Sequence, residues 1–171
     1  YLVQRYLTQQ HAPGAVLMAS VPPQGLLPAS AWLAFGNPLL FQQMQLLQWF
    51  GPQTVFALYG VEGGRKPLFS PHLPDHKVRQ YTSLAQLESP QAIFEMSLPI
   101  HARSRGSARV KALVMGAGLD KLIPASAVRA TADAFDTQPV FVDELGHAMM
   151  LDQHWRDAAR AIEHWLREQG M

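Results

Sequence analysis

Apolar positions along the chain recur at two spacings, and the two spacings divide it into helices and strands. "YLVQRYLTQQ" brings Leu2, Val3, Tyr6 and Leu7 round at helical intervals, so the chain is expected to open on a helix. After the break "APG", the run "AVLMAS" (15–20) is short and apolar throughout, as a strand buried on both faces would be. "VKALVMG" (110–116) and "PVFVDE" (139–144) have the same character. Between these two runs, Val128, Ala132 and Phe135 share a helical face. The last pattern, from about Asp152 to Glu168, groups Trp155, Ala159, Ile162 and Leu166 and stops at Gly170. Apolar strands that alternate with helices predict an α/β protein with a parallel sheet covered on both faces.

The pattern changes between residues 26 and 109. Eight of the 13 prolines lie there, and no alternating strand pattern does. "NPLLFQQMQLLQWFG" has Asn37 as cap, Pro38 in the first turn and Gly51 as stop, and "SLAQLESPQAIFEMSL" adds a helical pattern broken at Pro90. About 80 residues is too long for an ordinary connection between two strands. Three regions are therefore expected: helix and strand of a core (1–25), a mostly helical cap or lid (26–109), and late core strands and helices (110–171).

Composition narrows the function. With 171 residues, 48% of them hydrophobic and 16% charged, the chain is long enough for one core. A formal charge of +1 (14 Lys and Arg against 13 Asp and Glu) gives no reason to expect nucleic acid as a partner; a small, roughly neutral molecule suits it better. Zero cysteines exclude disulfides, thiolate zinc sites and a cysteine nucleophile within these residues. No membrane span and no signal peptide is evident, so a soluble protein is expected, with the cytoplasm as the default compartment. Because the chain opens on Tyr1, without a capping residue before its first helix, it reads as part of a longer protein.

Two polar residues stand where strands end. Asp120 follows the strand ending at Gly116 by four residues, and His147 follows Val142 by five, in "LGHAMMLDQHW". Loops at the carboxyl ends of neighbouring parallel strands converge, so the two side chains can meet. An aspartate that fixes one tautomer of an imidazole, and stabilises it once protonated, is half of a nucleophile-activating triad.

With its following helix, strand and "LGHAMMLDQHW", the segment "VKALVMGAGLDKLIP" resembles the acid and histidine segments that close α/β-hydrolase domains. "AVLMASVPPQGL" and the helices after it resemble the strand from which that family's lid departs. The resemblance implies a partial α/β-hydrolase fold, Asp120 as triad acid, His147 as base, and no cofactor. It further implies the C-terminal part of a serine hydrolase acting on ester or similar acyl bonds. The nucleophile motif G-x-S-x-G does not occur in these 171 residues, and the opening helix resembles the one that follows that motif, which puts the serine upstream of Tyr1. Ser104, followed by Gly106, has neither a strand before it nor a helix after it and is rejected. Two alternatives stay open: a non-catalytic binding module derived from a hydrolase, and a dehalogenase- or peroxidase-type member of the same fold.

Other motifs have plainer readings. "GAGLD" imitates a dinucleotide fingerprint, but Lys121 occupies the third glycine position and Pro124 delays the helix. His72, Asp75 and His76 in "HLPDH" carry metal-ligand chemistry, yet Pro74 interrupts them and an exposed loop is expected. Arg103, Arg105, Arg109 and Lys111 lack interleaved aromatics and read as a solvated hinge. Met149 and Met150 read as core packing, and His154 as a capping or solvent-facing residue. A small acyl or alkyl substrate is the expected partner, and the exposed sheet edge could support self-association.

Overall fold

A computed structural model describes residues 1–100 and 110–171; Ser104, Arg103, Arg105 and Arg109 lie outside the described residues. Helix α1 (Leu2–Leu7) leads into strand β1 (Gly14–Met18). Four helices follow: α2 (Leu27–Gly36), α3 (Pro38–Leu68), α4 (Asp75–Ser83) and α5 (Pro90–Ser97). Strand β2 (Lys111–Ala117), helix α6 (Ala125–Ala134), strand β3 (Pro139–Val142), a 3-10 turn at Met149–Leu151 and helix α7 (Trp155–Glu168) complete the order. All three strands are parallel in the order β1-β2-β3, with Val16 opposite Leu113 and Met115 opposite Val140.

The alternation of side chains along the strands builds two apolar layers. Leu17 and Val114 point to one face, where Val128 and Ala132 of α6 cover them together with Ile123. Leu113, Met115 and Ala117 point to the other, under Leu145, Met149 and Ala158 of the α7 side. Burial on both faces explains the continuous apolar run of the central strand β2; the outer strands depart from that expectation, β1 alternating buried with half-buried positions and β3 having no fully buried residue.

The insertion between β1 and β2 has a small core of its own, in which Phe69, Leu73 and Val78 join α3 to α4. Where the chain enters and leaves it, the two segments run side by side: Leu26 donates its N–H to Met96 and Ile100 donates its N–H to Pro23. Asn37 caps α3 as expected, its side chain accepting from the N–H of Leu40 at 3.1 Å. Gly51 does end a run of helix, because its φ of 82° breaks the spiral; a second break at Gly60 divides α3 into three helical pieces.

Several helical faces differ from expectation. In α1 the buried residues are Gln4 and Leu7, while Leu2, Val3 and Tyr6 are exposed. Gln4 turns inward because its amide donates to Ser20 Oγ at 2.7 Å and to the carbonyl of Val21 at 2.6 Å. Helix α7 starts at Trp155, not Asp152, and packs through Ala158, Ala161, Ile162 and Trp165. The seam is therefore turned away from Trp155 and Ala159, which are exposed, and shares only Ile162 with the expected stripe. Its end at Gly170 is a Schellman motif, with Met171 N–H donating to Leu166 and Gly170 N–H to Arg167. Met149 is buried but Met150 is exposed, since successive side chains of that tight turn diverge.

The "HLPDH" stretch is only partly a loop. Asp75 and His76 open α4, where Asp75 faces the positive helix end and pairs with the buried Arg65. His72 pairs instead with Glu144 at 2.8 Å.

Candidate active site

The turn after β2 is folded around one carboxylate. Asp120 Oδ1 accepts the N–H groups of Leu122 and Ile123 at 2.8 and 3.0 Å, which fixes the turn before α6. Its Oδ2 lies 2.9 Å from His147 Nδ1. An ionised carboxylate only accepts, so Nδ1 is the donor. The Asp120 side chain is 1% exposed and that of His147 is 28% exposed. One partner is sheltered and the other reaches solvent. No described residue is hydrogen-bonded to His147 Nε2. An imidazole held in this way presents Nε2 as a proton acceptor, and the carboxylate stabilises the cation that results.

Backbone contacts between the two loops hold the pair. Gly118 N–H donates to Val142 at 2.8 Å and Leu119 N–H to Leu145 at 2.9 Å. At Gly118 a Cβ would lie 2.5 Å from the Asp143 carbonyl oxygen, so the glycine of "GAGLD" allows one loop to lie directly on the next. That close approach gives the glycine a role apart from phosphate binding.

Two residues that sequence reasoning did not single out support the histidine loop. Asp152, itself 1% exposed, accepts from Gly146 N–H at 2.8 Å, and from Ser70 N–H and Ser70 Oγ at 2.7 Å each. Ser70 is 82 positions away in sequence, so no periodicity could link them. His154 occupies the N-cap position of α7 without a side-chain capping bond, and its ring meets that of His72 edge-on.

No described cluster of three or more His, Asp or Glu residues is arranged to hold a metal ion. A groove of about 280 Å³ lies in the helical insertion, lined by Pro52, Gln53, Phe56, Arg79, Thr82 and Ser83. It includes neither Asp120 nor His147. Among the described residues, no helix is long and apolar enough to cross a membrane.

Comparison with solved structures finds the same architecture. An esterase from Thermogutta terrifontis, solved with malate bound, superposes with a TM-score of 0.53 at 15% identity, over 93% of this chain and 57% of its own. A protein assigned as a non-heme bromoperoxidase of Mycobacterium tuberculosis superposes with a TM-score of 0.65 at 19% identity, over 98% of this chain and 63% of its own. The chain thus spans less than two thirds of either neighbour. No protein-family model matches it, and no curated protein sequence does. Both neighbours are α/β-hydrolase-fold proteins, and the chain, with its parallel sheet between helices, has part of that fold.

Proposed function

We propose that the chain is the acid- and base-bearing part of a serine hydrolase acting on ester or similar acyl bonds. The observation that carries this reading is the 2.9 Å contact of His147 Nδ1 with a sheltered Asp120 carboxylate, with the rest of the imidazole partly open to solvent. In the intact enzyme a serine upstream of Tyr1 attacks the acyl carbonyl. His147 Nε2 takes the hydroxyl proton and later returns it to the leaving group, while Asp120 holds the ring and stabilises its charged form. Residues 26–109 act as a cap, and Phe41, Met44, Leu47 and Phe50 contribute apolar surface over the acyl or alkyl part of the substrate. A dehalogenase- or peroxidase-type reaction uses the same fold and differs in the nucleophile and what it attacks.

Steady-state assays of the full-length protein with short p-nitrophenyl esters test the reading. Truncating His147 to alanine is expected to lower kcat by at least a thousandfold, since the nucleophile loses its base. Turnover that is unaffected by His147→Ala rules the reading out, and ligand binding without turnover points to the non-catalytic module.

A further inference from the structure

We propose that Ser70 and Asp152 are positioning residues for His147, and that the end of α3 thereby sets where the imidazole sits. The inference builds on the proposed hydrolase function. Asp152 closes the histidine loop on itself, because Oδ2 accepts from Gly146 N–H at one end and Oδ1 from Gln153 N–H at the other, at 2.8 and 2.7 Å. The remaining capacity of both oxygens goes to Ser70, through its backbone N–H and its hydroxyl. His72 N–H donates to Ser70 Oγ at 3.3 Å, which leaves the hydroxyl proton to point at the carboxylate.

The residues on both sides of His147 are fixed to the same short piece of the insertion. On one side, Gly146 lies against the Phe69–Ser70 backbone so closely that a Cβ would meet the Phe69 carbonyl carbon at 2.5 Å. On the other, Ala148 N–H donates to Leu68 at 2.8 Å. The imidazole is thus carried between two anchors on residues 68–70, and a third link joins His72 to Glu144. A carboxylate this deeply buried is tolerated only with its hydrogen bonds complete. Losing the Ser70 hydroxyl would remove one of four, and the loop between Gly146 and Gln153 would loosen about His147. A supporting group of this kind acts on a site through geometry, because a base displaced by a fraction of an ångström no longer meets its proton.

The test observes the imidazole directly in the full-length protein labelled with 15N-histidine. His147→Gln identifies the Nδ1–H signal, and its exchange with water is measured in the parent, Ser70→Ala and Ser70→Thr. Ser70→Ala is expected to speed that exchange about tenfold, the size set by one hydrogen bond to a charged group. Ser70→Thr, which keeps the hydroxyl, should stay within about twofold of the parent. If Ser70→Ala does not fold, Ser70→Cys, a weaker donor of similar size, is expected to give a smaller increase of the same sign. Exchange that does not change in a folded Ser70→Ala or Ser70→Cys protein, whatever happens to its Tm, overturns the proposal. An Nδ1–H response in a protein that turns over no ester in any variant refutes the hydrolase reading and leaves the positioning role standing.

Discussion

At the scale of single residues, Asp120 performs two tasks with two oxygens, and a substitution can separate them. Asp120→Asn can keep a carbonyl oxygen toward the N–H groups of Leu122 and Ile123, which hold the turn. It then directs an amide N–H at His147 Nδ1, which must become an acceptor, so the proton moves to Nε2 and the proposed base can no longer accept one there. We expect kcat to fall on the order of ten-thousandfold with stability changed by about 1 kcal/mol or less. Ester kinetics together with a urea melt check both halves. A large stability loss with a small rate loss would make the carboxylate structural. The pair itself was legible because each member follows an apolar run by a few residues. Ser70 and Asp152 were not, since a buried hydrogen bond across 82 positions has no periodic trace.

At the scale of elements, the strands were the most legible part. Each is a short apolar run bounded by glycine or proline, which separates it from a buried stretch of helix. Helical phase was less so, and two faces were misread. In α1 a buried glutamine takes the inner face while three apolar residues are exposed; its Nε2 donates to Ser20 and Val21, and its Oε1 is buried without a partner among the described residues. In α7 the packed stripe runs through Ala158, Ala161, Ile162 and Trp165, so that only Ile162 of the expected face meets the sheet. Apolar periodicity identifies a helix but does not reveal which face meets a partner. Breaks are easier to predict, since they depend on local chemistry. Gly51, with φ 82° and ψ 173°, occupies a conformation open to glycine and strained for other residues. Gly51→Ala should therefore destabilise the protein by about 1–3 kcal/mol, seen as a lower denaturant midpoint with an unchanged slope. A midpoint that does not move would mean that the kink has other support.

Across the whole molecule, the helical insertion is tied to the loop that carries His147. The sheet brings the turn after β2 and the loop after β3 to the same end, where Asp120 and His147 meet, and the end of α3 closes on that loop through Ser70, Gly146 and Ala148. Strands β1 and β3 are the outer strands of the described sheet, and Leu2, Val3 and Tyr6 lie exposed on the helix that leads into β1. The layered α/β architecture and the place of the pair at the strand ends were expected from the sequence. The grip of the insertion on the histidine loop was not, because it is made by backbone groups and one buried carboxylate. In the proposed hydrolase this pair serves a serine upstream of Tyr1. Labelling the full-length protein with a fluorophosphonate and mapping the adduct by mass spectrometry identifies that serine. One adduct is expected, on a serine preceding Tyr1, formed at least about a hundredfold more slowly when His147 is alanine. An adduct on a serine within residues 1–171, or labelling that does not depend on His147, would contradict the proposal.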